Sequence, residues 1–446
     1  MTLFRQLEKE IEIKAQLFAE GVRVEDDALE GIPEIYAGYP AITPFTHWQR
    51  PRRPGIWWPD HLILPLGTKY KVFCNYDSPF LIRRDRDALA IEKNGVFISS
   101  CRWGRRPADF EDARLPDGTR VGNVVTLIGG CMFTVQIQMI CPNWVTEEQC
   151  RYCDVYHPEK AFQLVEILRE SGKPSVGFGG TPEQVAEAAA IAEALGYHLH
   201  YLFLGGFSPK ANDFLPYIAA IRRRTGREKL RGSLTIGAPK NLSQIDRLAE
   251  LGLTGMYMDM EVWHPGMFEY ICPGKARRVG RERWLEALEY AGRIFQPGNT
   301  ATSYVCGLES KKEYLEAAKW FSEKGILLFC CAFQPMWGTP LEGHRPPCWQ
   351  WQLDVNYAIH DVLDGYLPTG TDDFFDAGVA TCYNCNLYSL LWDIVRLRRG
   401  GSTSMNEKGT LIHIASRDNA PQPGCQPGDP QALADVRIEP SRGDSS

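Results

Sequence analysis

From residue 131 to residue 333 the chain repeats one unit, a short apolar run rich in β-branched and aromatic residues followed by a segment of helical periodicity. The runs "CMFTVQIQMI", "HLHYLFLGG", "RGSLTIGAP", "TGMYMDME", "NTATSYVCGLE" and "GILLFCCAF" read as strands. Between them "TPEQVAEAAAIAEALG", "NDFLPYIAAIRRRTG", "LSQIDRLAELG", "RERWLEALEYAGRIF" and "KKEYLEAAKWFSEKG" read as helices, several closed by a Gly of the kind that ends helices. Six strands in strict alternation with helices imply parallel pairing and right-handed crossovers, hence a barrel or an open doubly wound sheet. Both architectures collect ligands at the C-terminal ends of their strands.

Directly after the first of these strands comes "ICPNWVTEEQCRYCDVY", in which Cys141, Cys150 and Cys153 form a C-x8-C-x2-C cluster on that rim. A tetrahedral zinc site wants four ligands, and His157 would complete a Cys3His set with these thiols. An iron-sulfur cluster held by three cysteines instead leaves one iron open to a small molecule. Unrelated buried thiols are the third reading. Cys131, ten residues before Cys141, belongs at the start of the strand and so at the opposite end of the sheet.

Composition favours small-molecule chemistry. In a chain of 446 residues, 44% are hydrophobic and 23% charged, as in a soluble globular protein. A net charge of -6 offers no general footprint for nucleic acid. The start "MTLFRQLEKEIEIKAQLFAEG" is an amphipathic helix with Phe4, Leu7, Ile11, Ala15 and Phe18 on one face, too charged for a signal peptide. No apolar run approaches the roughly 18 to 20 residues of a membrane span. The expectation is a cytoplasmic protein, in which 14 cysteines point to metal or thiol chemistry rather than disulfides.

The flanks differ from the middle. Residues 1–130 combine the N-terminal helix with short alternating runs punctuated by Pro, Gly and Asp-Gly, which predicts a small β-rich domain. The barrel unit is expected over 131–345 and a helical region with a C-x2-C pair over 346–415. The tail 416–446, rich in Pro, Gly and Asp, reads as disordered.

"CRYCDV" after a first barrel strand, with an earlier cysteine, resembles the cluster loop of the radical S-adenosylmethionine (SAM) enzymes, whose usual spacing is C-x3-C-x2-C. "LFLGGFSP" is similar to that family's Gly-Gly motif. "MYMDMEVWHPGMFEYICPGKA", "SYVCGLES" and "GILLFCCAFQPMWGTPLEG" resemble the fourth, fifth and sixth strand segments of its biotin synthase and hydrogenase-maturase branch. "DSPFLI" and "LPDGTRVGNVVTLIGG" resemble a subgroup with a β-rich extension and a lengthened cluster loop. The likeness covers about residues 120–345 and implies α/β architecture, a partial (β/α)6 TIM-like barrel with an N-terminal β-rich extension. The eight-residue insert "PNWVTEEQ" is expected to bulge outward at modest entropic cost.

The resemblance implies a [4Fe-4S] cluster on Cys141, Cys150 and Cys153, whose open iron takes the amino and carboxylate groups of SAM. An electron from a reductase such as flavodoxin or ferredoxin would then break a carbon-sulfur bond, usually yielding a 5'-deoxyadenosyl radical that acts on a small-molecule substrate. Tyr152 would lie against the adenine. Gly205 and Gly206 would let the backbone approach the methionine end, with Gly179 and Gly180 as the other candidate pair. Glu261, and with it Glu309, would bind an ammonium or ribose hydroxyl. For the carboxylates a rim salt bridge is the plain alternative, and for the glycines a tight turn. "GKARR" could supply a cation for the SAM carboxylate, with Arg277 and Arg278 both candidates. Tyr257, Asp259, Trp263, Tyr304 and Gln334 are expected to line a mixed aromatic and polar interior, and His264 to pack in a loop.

A second thiol group follows. Cys382 and Cys385, preceded by Cys330, Cys331 and Cys348, could hold a second metal or cluster, touch substrate, or be structural. No segment resembles a cobalamin-binding domain.

Overall fold

The computed structural model describes residues 2–31, 61–73, 75–86, 88–105, 107–137, 141–153, 180–206, 210–336, 338–369 and 387–401, with the short stretches 403–406, 408 and 411–413. The N-terminal helix α1 (Leu3–Glu20) starts where the Thr2 side chain accepts the Arg5 amide hydrogen. Leu7, Ile11, Ala15 and Phe18 are buried along it, as the periodicity requires. Phe4 is not: it is 44% exposed, and Leu3 packs against the core in its stead.

After α1 come β1 (Arg23–Val24), β2 (His61–Ile63), β3 (Lys69–Lys71), β4 (Phe80–Asp85), β5 (Ala88–Lys93) and β6 (Val96–Trp103). They form one sheet in the order β1-β4-β5-β6-β2-β3, with β1 parallel to β4 and the remaining pairs antiparallel. The turn between β5 and β6 is Asn94-Gly95, both with positive φ, as a tight hairpin demands.

The second sheet contains β7 (Thr126–Ile128), β8 (Met132–Gln136), β9 (His200–Gly206), β10 (Leu230–Ile236), β11 (Leu253–Tyr257), β12 (Thr300–Cys306) and β13 (Ile326–Ala332). β8 to β13 run parallel and lie side by side in chain order, while β7 pairs antiparallel with β8 at the edge. A doubly wound sheet would reverse its order at a switch point. This one never does, so every crossover winds the same way and the sheet curls into a partial TIM-like barrel. The helices Pro182–Ala194, Ala211–Thr225, Ser243–Glu250, Arg281–Ile294 and Lys311–Ser322 form its outer layer.

Two cores result. One lies between the parallel sheet and its helices, with Phe203, Phe214, Met256, Trp284 and Phe321 among its buried members. The other joins α1 and the first sheet to the helix Leu391–Arg398, so that Leu7, Ile11 and Phe18 share an interior with Leu390, Ile394 and Leu397. Lys14 donates to Asp393 at 2.7 Å within it, both side chains being buried. The C-terminal helix thus packs with the chain's beginning rather than forming a separate layer. Just before that helix, the Leu387 carbonyl accepts from Lys71 N and the Tyr388 carbonyl from Ala332 N, at the end of β13. Among the described residues no helix is long and apolar enough to cross a membrane.

Candidate functional site

The thiol loop follows β8, at the C-terminal end of the parallel strands. Pro142–Val145 form one helical turn with Cys141 at its N-cap, and the Cys153 amide donates to the Cys150 carbonyl at 3.0 Å. The insert between Cys141 and Cys150 does not bulge outward. It lies against the helix Pro273–Arg278, where the Gly274 amide donates to the Glu148 carbonyl at 3.0 Å and the Glu148 carboxylate, buried itself, pairs with both Arg277 and Arg278. Arg151 N donates to the Ile271 carbonyl at 2.9 Å on the other side. Polar side chains and amides with partners on a neighbouring helix gain more by docking than by solvation, which outweighs the loop's freedom. Gly274 makes the approach possible, because a Cβ there would stand 2.6 Å from both Asn143 Cγ and the Glu148 carbonyl oxygen.

Facing this loop is the continuation of β11. The amide of Glu261 donates to the Ser303 carbonyl at 2.9 Å, and the Glu261 carbonyl accepts from Val305 N, with a left-handed φ of 77° at Glu261. Such a φ is costly for a residue with a Cβ and is held here by its surroundings. The clearest of these is Lys275, whose Nζ donates to Glu261 Oε1 at 2.6 Å and to the Asp259 carbonyl at 2.7 Å while lying 5.0 Å above the Trp284 ring. Sequence reasoning looked to Arg277 and Arg278 for the cation at this place. They are occupied by Glu148, and Lys275, in the same "GKARR" stretch, is the cation turned toward the thiols.

The electrostatics follow from this packing. A hydrogen bond with the Cys272 thiol holds the Cys150 thiol below its usual pKa against the opposing effect of burial, and the charge of Lys275 adds to it. Burial pushes Cys141 up. Tyr152 is pushed up by burial, with Glu261, Cys150 and Cys153 as the nearby negative groups. Burial opposes the charge on Lys275, but Glu261 and the thiols of Cys150 and Cys272 more than offset it. Cys141, Cys150, Tyr152, Glu261 and Lys275 therefore share one neighbourhood, and Cys272 joins them unannounced by any spacing in the sequence.

Below this rim the strand faces alternate. Tyr257, Asp259, Ser303, Phe329 and Cys331 point inward: the Ser303 amide and hydroxyl both donate to Asp259 Oδ1, at 3.2 and 2.5 Å, and the Tyr257 and Phe329 rings stack 5.5 Å apart. Burial, with Glu261 second, pushes Asp259 up to about 7. Three residues expected in this interior lie elsewhere. Tyr304 has the opposite parity to Ser303 and packs against Tyr314 and Phe321 of the outer helix. Trp263 lies past the strand's end, against Trp320, Phe321 and the Arg281 guanidinium. Gln334 donates to the Phe18 carbonyl of α1.

Glu309 accepts the amide hydrogens of Trp263 and His264, at 2.6 and 2.7 Å, and so ties down the turn after Glu261. His264 caps the helix Pro265–Ile271 through Nδ1. In β9, Leu204 pairs with Thr235 and Gly206 with Ile236, which leaves Gly205 as the extra residue of a β-bulge. A Cβ on Gly205 would meet Ile236 Cγ2 at 2.8 Å and Phe214 Cε2 at 3.0 Å, so its bare backbone serves the outer helix. Gly180 is likewise crowded by Val124. Cys131 is buried at the start of β8, away from the rim. Cys330 is buried on the outward face beside Cys306, and Cys348 is exposed at the start of the helix Trp349–Asp364. His157, Gly179, Cys382 and Cys385 lie outside the described residues, as does the tail 416–446.

Among the described residues no three His, Cys, Asp or Glu side chains converge on a point that would hold a single metal ion. A four-iron cluster asks something different, since each cysteine binds a separate iron. Half-buried thiols on one loop, one of them favoured as thiolate and backed by a lysine, are donors of the right chemistry for it.

Residues 141–321, beginning at the first thiol of the loop, match the family described as the radical SAM superfamily. The chain is 27% identical over 324 residues to the bacteriochlorophyllide c C-7(1)-hydroxylase of Chlorobaculum limnaeum, covering 68% of this chain and 78% of that protein. Among solved structures, a methylornithine synthase shares 15% identity over 63% of this chain and 71% of its own, with a TM-score of 0.39. A radical SAM methyltransferase from Sphaerobacter thermophilus shares 14% over 65% and 75%, with a TM-score of 0.35. Thiols at the mouth of a singly wound partial barrel and a family match that starts on the first of them lead to one conclusion: residues 141–321 carry a radical SAM domain, and the chain is an enzyme that uses a [4Fe-4S] cluster and S-adenosylmethionine for radical chemistry on a cofactor or metabolite.

Proposed function

We propose that Cys141, Cys150 and Cys153 are the three cluster ligands, and that SAM is bound between their loop, Tyr152, the Gly205–Gly206 bulge and the Glu261–Lys275 pair. The observation that supports this reading is the packing of Lys275 and Glu261 against the Cys150 loop, a cation and an anion suited to the carboxylate and ammonium of a methionine. When bound, the reduced cluster supplies the electron that cleaves a carbon-sulfur bond of SAM. Tyr152 screens the loop from water, and Gly205 lets β9 bulge beside the rim. Glu309 acts one step removed, by fixing the turn that carries Glu261. The polar floor of Tyr257, Asp259 and Ser303 suits a substrate that offers hydrogen-bonding groups. The similarity to a bacteriochlorophyllide hydroxylase makes tetrapyrroles the first substrates to assay.

In this reading the substrate is a small molecule, the electron comes from a flavodoxin or ferredoxin, and the enzyme works in the cytoplasm without nucleic acid or membrane. The units taken in this reading are an extension over 1–130, the barrel over 131–345 and a C-terminal helical region over 346–415, whose helix Leu391–Arg398 shares a core with the extension. Iron and sulfide analysis of anaerobically reconstituted Cys141→Ala, Cys150→Ala and Cys153→Ala tests the ligands. Each variant should lose the cluster; wild-type iron in all three would overturn the assignment. The products of SAM cleavage then identify the bond broken.

A further inference from the structure

The seam between the thiol loop and the helix Pro265–Ile271 carries exposed groups that the reading above leaves unused. Tyr270, next to last in that helix, is 52% exposed. The Arg151 guanidinium lies 4.3 Å from the centroid of its ring, and Arg151 Nε donates to the Tyr270 carbonyl at 2.6 Å. Backbone holds Arg151 on both sides, since its amide donates to the Ile271 carbonyl at 2.9 Å and its carbonyl accepts from Leu341 N at 3.0 Å. In the chain it stands between Cys150 and Tyr152, so a group docked on it is next to the loop that binds the cluster.

The charge of Arg151 has no counterpart in the protein. Among the described residues it meets no carboxylate, and neither of the neighbouring exposed acids, Glu147 and Glu269, pairs with it. Arg277 and Arg278 share the single carboxylate of Glu148 along the same insert, which leaves a second positive charge uncompensated. The chain as a whole has a net charge of -6 and repels acidic proteins in general, so these guanidiniums are a local exception beside the cluster loop. Tyr and Arg are also the side chains most enriched among interface anchors, and Val145, 71% exposed on the insert, adds apolar surface. We propose that Arg151 and Tyr270, with Arg277 and Arg278 beside them, form the docking surface for an acidic flavodoxin. The apolar edge of its flavin, ringed by carboxylates, matches an exposed ring flanked by guanidiniums. The anionic flavin hydroquinone gives up one electron and becomes the neutral semiquinone, and that electron reduces the cluster; no bond forms or breaks in the protein. Interfaces of this kind are small and weak, and a patch of a few side chains suffices for one. The inference rests on the cluster assignment made above.

The test is stopped-flow reduction of the reconstituted holoenzyme by flavodoxin hydroquinone, read at the cluster's absorbance, beside calorimetric affinity for oxidised flavodoxin. Arg151→Glu should slow reduction and weaken binding by ~10-fold or more at low salt, while dithionite, which needs no docking surface, reduces it as fast as wild type. The wild-type rate with flavodoxin should fall as salt rises, and the variant should lose most of that dependence. Lys229→Glu, the same charge change on an exposed residue just before β10 and so at the far end of the strands, should leave both rates at wild type. Tyr270→Ala keeps the backbone carbonyl that Arg151 uses, and it should weaken flavodoxin binding with iron content intact. Wild-type binding in both Arg151→Glu and Tyr270→Ala overturns the proposal, as does an equal loss in Lys229→Glu or a dithionite rate that falls with the flavodoxin rate. Reduction by an acidic ferredoxin but not by flavodoxin overturns the choice of partner. Failure of the underlying assignment has its own signature, wild-type iron in Cys150→Ala.

Discussion

Lys275 Nζ lies 2.6 Å from Glu261 Oε1, and both side chains are buried at the mouth of the barrel beside the cluster loop. A buried ion pair contributes little net stability, but removing one partner strands the other charge, at about 3 to 5 kcal/mol. Lys275→Met is therefore expected to lower the melting temperature and to weaken SAM binding by ~10-fold or more, with iron content unchanged. Equilibrium dialysis with SAM and thermal melts check both effects. The double variant with Glu261→Gln should regain part of the stability and none of the SAM affinity; full recovery of binding would remove Lys275 and Glu261 from the cofactor site.

Glu148 is the hinge between the cluster loop and the helix Pro273–Arg278. Arg277 is largely exposed, so its pairing with Glu148 contributes little, and the effect of Glu148→Gln on global stability should stay within about 1 kcal/mol. The loop itself should loosen. Iron release from the reconstituted enzyme to a ferrous chelator is expected to be faster in Glu148→Gln, and faster again in Gly274→Ala, where the new methyl would stand 2.6 Å from the Glu148 carbonyl oxygen. Equal release rates in all three proteins would mean that the docked insert does not hold the cluster.

Gly205→Val should act through packing. The added side chain would collide with Ile236 and Phe214, an overpacking that costs about 1 to 3 kcal/mol. Because the collision lies on the outer face of β9, the iron-free protein should show the loss in denaturant melts as fully as the holoenzyme does. A loss confined to the SAM-bound form would mean that the bare Cα of Gly205 serves the cofactor alone and not the packing of the outer helix.

Glu10, on α1, gives a prediction in pH. It accepts the amide hydrogen of Leu66 at 2.6 Å, and burial pushes its carboxyl from the ordinary 4.5 up to about 7. A carboxyl with a raised folded-state pKa favours the fold while it is protonated, so its contribution is full below about pH 4.5 and is lost as pH rises to about 7. The change is on the order of 3 kcal/mol. Glu10→Gln should flatten this part of the stability curve, as urea melts between these values will reveal. A variant as pH-dependent as wild type would place the titration on another group.

The parallel barrel was legible in the sequence because its signals are local. Alternating β-rich and helical periods name the six strands from Met132 to Ala332 and the helices between them, and strict alternation leaves few ways to connect them. The thiol loop was legible too, since Cys141, Cys150 and Cys153 stand together in the chain at a strand's end. What only the tertiary structure decided are the relations between distant segments. Which face of β12 looks inward depends on where its neighbours lie, and that turned Ser303 toward Asp259 and Tyr304 toward Phe321. Successive residues of a helix point about 100° apart, so no spacing could tell that Lys275 meets Glu261 while Arg277 and Arg278 meet Glu148. The insert after Cys141 reads as a loop free to bulge until the helix with Gly274 is brought against it. The contact between Cys150 and Cys272 and the core shared by α1 and the helix Leu391–Arg398 have the same origin. They join residues far apart in the chain, and such pairs form only when the whole fold has closed.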